Sequence, residues 1–436
     1  MRRLFLPILC LACSACSVQK MPMAVVPENE VYQTISTLAG DEMEGRGVLT
    51  AGIGKAADYI AEQFKDAGLA TLSNADSNYR QTFTVLHIRP LTCEVMLDGQ
   101  KVDSKRTFVI SDQPGLNWNT DPDVRLETIP AGGNFRQSYQ GLLKKKQDAL
   151  VFVDESFAQE FARYKQHFDG GQMVNKEAGE NQHKPNLVFV LTPQKSNSFR
   201  VSYTGEVKKI PLFNVVGVLP GKSKPKEYVI FSSHYDHLGI IDAVGKDSIA
   251  NGADDDASGT TAVITLAKWF AKQKNNERTL IFATFTAEES GGFGSKYFSQ
   301  QLNPNDVVAM VNIEMIGKDS KFGPNTMYIT GFERSDFGKI LQKNVANTGF
   351  AFHPDPYPEQ NLFYRSDNAT LAALGVPAHT VSTVQIDKDQ YYHTVKDELQ
   401  TLDIKNITSS IQAIALGVRS IVAGEDTPSR IPPLTR

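Results

Sequence analysis

From Asn214 onward the chain repeats one pattern, a short apolar run followed by a polar break and then a stretch with helical periodicity. The runs are "EYVIFSS", "TLIFATF", "VVAMVNI" and "VPAHTVS", and the helical stretches are "SGTTAVITLAKWFAKQ", "GGFGSKYFSQQL" and "SSIQAIALGVRSIVA". Each run is apolar throughout rather than alternating, which requires a strand buried on both faces. The pattern therefore predicts an α/β fold with a mostly parallel central sheet covered by helices on both faces. Ligands of such sheets collect just beyond the carboxyl ends of the strands. The residues that follow each run are thus the first place to look for function.

The N-terminal half reads differently. Ile53, Ala57, Ile60, Phe64 and Ala67 mark one amphipathic helix, with Gly68 as its stop. From about Phe83 to Pro211, short β-like runs at Thr107 to Ile110, Ala149 to Val153, Leu187 to Leu191 and Arg200 to Tyr203 lie among polar connections, as expected of an inserted β-rich module. The expected organisation is a leader over 1–16, the N-terminal part of the main domain over 17–84, the insert over 85–210 and the rest of the main domain over 211–436. The leader "MRRLFLPILCLACSAC" joins a positive start to a short apolar stretch and small residues before a cysteine. It is too short to span a bilayer. Cys16 resembles the acylated cysteine of bacterial lipoproteins, with Cys13 the alternative, so the expected location is the cell envelope, with a lipid anchor as the only membrane contact. A net charge of -4 lacks the basic excess of a nucleic-acid binder. Nothing in the sequence fixes an oligomeric state.

The strand ends are rich in donors. "FSSHYDHLG" places two histidines beside an aspartate, and "NGADDDASG" stacks three aspartates before a helix start. Such stacking is unfavourable unless something positive sits among the carboxylates. "TAEES" supplies Glu288 and Glu289, "NIEMIG" supplies Glu314, and "YYHT" supplies His393. Singly, each has an ordinary account: a hydrogen-bonded surface pair, a solvated loop, a helix N-cap. Together, at successive strand ends, these oxygen and nitrogen donors suit zinc.

In this order and spacing, "HYD", "GADDDASG", "AEE", "NIEMIG" and "YYHT" resemble the motifs of the zinc aminopeptidase family, number twenty-eight of the metallopeptidases. "LAGDEMEGRGVLTAGIGKAADYIAEQF" resembles the family's N-terminal segment. The resemblance covers roughly Val31 to Leu72 and Pro211 to Ala423, and the insert sits where the family often carries a protease-associated domain. It implies a zinc exopeptidase fold and two zinc ions that share Asp255. Glu289 and His393 would complete one zinc, His234 and Glu314 the other, and Asp236 would orient His234 by accepting its other ring proton. Glu288 would be the general base for a metal-activated water, and Tyr392 a hydrogen-bond donor to the developing oxyanion. The implied activity is removal of N-terminal residues from peptides.

Two positions depart from the family's pattern. Glu314 replaces the usual aspartate and is one methylene longer, and Asn368 in "RSDNATLAALGVPA" replaces a histidine that is not a ligand. Arg365 and the loop "HPDPYPEQNLFYRSDN" are expected at the pocket wall. Two other readings stand beside the aminopeptidase: a glutaminyl cyclase of the same fold, whose aspartate loop resembles "ATDSA" instead, and a non-catalytic binding lipoprotein.

Overall fold

The computed structural model describes residues 25–120, 123–175 and 184–434. The leader and Cys16 lie outside the described residues. The main domain is built on β1 (Arg80–Leu97), β2 (Phe199–Leu219), β3 (Lys224–His234), β4 (Arg278–Phe285), β5 (Val307–Ile313), β6 (Thr326–Ile329), β7 (Ala351–Pro354) and β8 (Ala378–Ser382). They lie side by side in the order β7-β6-β8-β5-β3-β4-β2-β1. The β3–β4, β3–β5, β5–β8 and β6–β7 pairs are parallel, whereas β1–β2, β2–β4 and β6–β8 are antiparallel. The parallel centre is the part with apolar runs: every residue of β4 is buried, and Val229 to Phe231 of β3 are 0% exposed.

Helices cover both faces. α1 (Glu28–Leu38), α2 (Gly52–Asp66), α3 (Gly259–Gln273) and α5 (Ile404–Gly417) send Ile35, Phe64, Leu266 and Ile411 into one core with Phe231, Phe282 and Val311. α4 (Phe293–Gln300) buries Phe298 on the other face against Ile230, Ile281 and Met310. Adjacent residues of one strand thus feed opposite cores, as period-two alternation requires. α2 buries Ile53, Ala57, Ile60 and Phe64 and is followed by Gly68 at φ +74, the left-handed stop that glycine supplies.

β1 and β2 continue past the sheet as a long antiparallel ribbon that carries the insert. The insert has its own four-stranded sheet, in the order Thr107–Ile110, Leu187–Leu191, Ala149–Val153, Arg125–Ile129. It also carries two helices, Phe135–Lys145 and Ala158–Asp169, which the run pattern of the sequence does not announce. Their apolar faces are narrow: only Phe135 and Leu142 of the first, and Phe161 and Phe168 of the second, are buried. Among the described residues no helix is long and apolar enough to cross a membrane.

Candidate metal centre

β3 ends at His234, β4 is followed by Glu288 and Glu289, and β5 by Glu314, so three parallel neighbours deliver their polar residues to one edge. The backbone turns sharply there. Ala287 and Met315, beside these carboxylates, have φ +57 and +51, and His393 itself has φ +58. For a residue with a Cβ each such conformation costs of order 1 kcal/mol. Surrounding structure must hold the turns in place.

Much of that hold comes from the aspartate loop. Asp256 is fully buried, and its carboxylate accepts from the amides of Gly259 (2.9 Å), Met315 (3.1 Å) and His234 (3.3 Å), stapling the start of α3 to the ends of β5 and β3. Asp254 accepts from the Gly317 amide at 2.8 Å and lies 3.3 Å from Lys318 Nζ. Asp397 accepts from the amides of Asp254 and Asp255 at 3.0 Å each. From the other side, the buried Arg46 donates to the carbonyls of Tyr235 (2.8 Å), Asn251 (2.5 Å) and Gly252 (2.8 Å). The three consecutive aspartates therefore have different tasks. Two are staples for backbone amides, and Asp255 is left to face the cleft.

Around Asp255 the donors converge. His234 Nδ1 donates to the main-chain carbonyl of Asp236 at 3.1 Å, which fixes the tautomer and leaves Nε2 facing Asp255 Oδ1 at 3.2 Å. His393 Nε2 lies 3.2 Å from Asp255 Oδ2 and 3.1 Å from Glu289 Oε2. His234, Asp255 and Glu314 offer atoms within 4.8 Å of one another, as do His237, Asp255 and Glu289. His237 Nδ1 and Nε2, His393 Nε2, Glu289 Oε1 and Glu314 Oε2 are buried without hydrogen-bond partners. Leaving a buried polar atom unpaired costs about 1–3 kcal/mol. Divalent cations would satisfy these atoms together, so the donor set fits zinc.

The electrostatics agree. Burial opposes charging of both groups, yet contact with His234 and His393 holds Asp255 well below the usual carboxylate range, and Asp255 and Glu289 push His393 up to about 10. The cluster demands positive charge. Glu288 is held well above its ordinary value by burial and by repulsion from Asp367, Glu314 and Glu289, against the pull of His234.

Asp236 departs from its expected role. Its carboxylate stands 3.9 Å from His234 Nδ1, and Oδ1 instead accepts from the Glu288 amide at 3.1 Å. The strand end curls so that the carbonyl, not the side chain, meets the ring. Asp236 therefore orients His234 through its backbone and Glu288 through its carboxylate.

A cavity of about 190 Å³ opens in front of Asp255, Glu288, Glu289 and Glu314. Met315, Tyr328, Leu362, Val384 and Ile386 give it an apolar wall, with Arg365, Ser366 and Asp389 among its polar groups. Tyr392 also lines it, 45% exposed, its ring stacked on His393 at 3.8 Å. Asn368 does not reach the cavity: it donates to the carbonyls of Phe363 and Ala378 and accepts from Thr380, a wall residue.

Sequence reasoning noted His237 among the strand-end donors but gave no role to it, to Arg46 or to Asp397. His237 stands three residues after His234 in the same loop, which was a usable signal. Arg46 lies within the segment that resembles the family's N-terminal one, but only the fold brings it under the aspartate loop.

Residues 214–418 match the profile of Peptidase family M28. A "Probable zinc metalloprotease" of Pyrenophora tritici-repentis (strain Pt-1C-BFP) is 32% identical over 122 residues, 27% of this chain and 25% of that protein. Leucine aminopeptidase 1 of Ajellomyces dermatitidis is 28% identical over 208 residues, 45% of this chain and 52% of that protein. The matched stretch thus spans about a quarter of the first relative's length and about half of the second's. Among solved structures, the aminopeptidase from Aneurinibacillus sp. strain AM-1 superimposes with a TM-score of 0.57 at 18% identity, covering 94% of this chain and 96% of that one. At that identity the likeness is one of fold.

Proposed function

We propose, from the match of residues 214–418 to the profile of Peptidase family M28, that the protein is a zinc-dependent exopeptidase that removes N-terminal residues from peptides. The observation that carries this reading is the convergence of His234, Glu289, Glu314 and His393 on Asp255, with Glu288 in the same cavity. Asp255, Glu289 and His393 would hold one zinc, and Asp255, His234 and Glu314 the other. Bound zinc supplies Lewis acidity and lowers the pKa of water to about 7.

The chain's own residues supply the rest. Glu288, whose proton affinity is raised by burial and by the carboxylates around it, can take a proton from the attacking water and hand it to the departing amine. The Asp236 carboxylate, through the Glu288 amide, fixes where that base stands. The Tyr392 hydroxyl can donate to the substrate's carbonyl oxygen as negative charge grows there. The apolar wall from Met315 to Ile386 receives the first side chain and excludes water from it. The leader fits export and acylation at Cys16, or at Cys13, with peptides of the cell envelope as substrates.

The test is hydrolysis of free and N-acetylated aminoacyl substrates by the chelated and zinc-restored protein. Zinc-dependent cleavage of the free-amine substrates alone is expected. Cleavage that ignores the chelator, or that favours the acetylated set, would end the aminopeptidase reading.

A further inference from the structure

His237 is absent from the ligand set that the family resemblance implies, yet its ring is 2% exposed and neither ring nitrogen has a hydrogen-bond partner. Nδ1 lies 2.8 Å from Glu289 Oε1 and 3.8 Å from Asp255 Oδ2. The Glu289 pair is close enough for a hydrogen bond but is not aligned as one, because both atoms remain unpartnered. His237, Asp255 and Glu289 each offer an atom within 4.8 Å of the others, close enough for one ion to meet all three.

The two histidines approach the same two carboxylates. His393 Nε2 lies 3.2 Å from Asp255 Oδ2 and 3.1 Å from Glu289 Oε2, whereas His237 Nδ1 lies 3.8 Å from Asp255 Oδ2 and 2.8 Å from the other Glu289 oxygen, Oε1. Donors about 2.0–2.1 Å from a tetrahedral zinc stand roughly 3.3 Å from one another. The ring is also fixed in place. A Cβ on Gly252, at φ +55, would come within 2.5 Å of His237 Cγ and Cδ2, so only glycine lets the imidazole pack there. Arg46 holds the Gly252 carbonyl from below, and the His237 amide donates to the Arg46 carbonyl at 3.3 Å.

We propose that His237 is a metal ligand, so that four protein donors, Asp255, Glu289, His237 and His393, enclose one ion. The ion held by Asp255, His234 and Glu314 then has only three. Closed four-donor zinc sites are structural, whereas catalytic sites keep an open position. The two positions are therefore unequal: the His237 side fills first and stays filled, and the Glu314 side is the exchangeable one that faces substrate. The inference rests on the zinc reading above but not on what the enzyme cleaves.

The experiment is zinc titration of the chelated full-length protein, with X-ray absorption at one zinc per chain. Two imidazoles on the first zinc are expected in the wild type, and one in His237→Ala. The first binding step of that variant should weaken by more than about 100-fold, beyond the 10–100-fold that loss of a ligand's hydrogen-bonding partner gives. His237→Gln keeps a group able to donate to Glu289, and serves also if the alanine variant does not fold. Near-wild-type affinity in His237→Gln, or a single imidazole on the first zinc of the wild type, would overturn the proposal. A two-imidazole first zinc in a protein that cleaves no aminoacyl substrate would leave the ligand assignment standing and remove only the peptidase reading.

Discussion

The main domain and the insert use the same construction and reach different ends. In the insert, Arg125–Ile129, Ala149–Val153 and Leu187–Leu191 are parallel, and a helix connects the first two. Its strand ends present Asp154 and Thr192, where Asp154 accepts from the Ser156 amide at 2.9 Å and Thr192 from the Gln194 amide at 3.2 Å. At the corresponding ends of the main sheet stand His234, Glu288, Glu289 and Glu314, gathered around Asp255, with Glu289 Oε1 and Glu314 Oε2 left without hydrogen-bond partners. Among the described residues, every buried side-chain atom without a hydrogen bond lies outside 81–235. Parallel strands thus supply an edge where a site can be built, and unsatisfied donors decide whether one is.

Three perturbations break or sharpen that contrast. The largest effect is expected from Glu288→Gln, which should lower kcat by about 10²–10⁴-fold, the usual worth of general acid–base catalysis. Zinc content measured by mass spectrometry should remain that of the wild type, since Glu288 is not among the converging donors. A variant that turns over normally would mean that another group moves the proton.

The second perturbation addresses the insert. Phe108 is 1% exposed and stacks on Phe189 at 4.5 Å and on Phe168 at 5.8 Å. Phe108→Ala should destabilise the insert by about 3–5 kcal/mol, seen as faster amide hydrogen exchange in 107–191. Zinc content should be unaffected. Loss of bound zinc would show that the two cores are coupled more tightly than their separate hydrophobic clusters suggest.

The smallest concerns pH. His379, on β8 beneath the cavity, is fully buried, with Nδ1 donating to the Thr330 carbonyl and Nε2 accepting from Ser335 Oγ. Burial lowers its pKa to about 4. With an unfolded value of about 6.5 the unfolded chain binds the extra proton, so this contribution to stability is complete above that pH and is lost as pH falls toward 4. Between pH 7 and pH 5 the loss is about 2 kcal/mol. Chemical denaturation at the two pH values should therefore give a drop that is smaller by this amount in His379→Gln. An equal drop in both proteins would assign the acid sensitivity to other groups.

How much was legible in advance varied with the kind of signal. The apolar runs of β3, β4, β5 and β8 announced themselves because a strand buried on both faces must be apolar throughout. His234, Glu288, Glu289 and Glu314 could be read because a parallel strand delivers the residue after its last buried position to one edge. The insert's helices were not legible, since each buries only two residues and leaves almost no periodic stripe. Nor was Asp236's division of labour, because whether a side chain or a carbonyl meets a ring depends on how the strand end curls.

The sequence by itself thus determined the parallel sheet, the edge at which chemistry could gather and the residue types available there, because burial and strand direction are local properties of the pattern. Only the tertiary structure decided that Asp254 and Asp256 are staples while Asp255 faces the cleft, that Arg46 lies under the loop with Asp397 above it, and that His237 turns its ring toward Glu289. Those outcomes depend on which distant amides and carbonyls come within about 3 Å. Segments as far apart in the chain as Arg46, Gly252 and Asp397 meet only once the sheet and its helices have closed around one another.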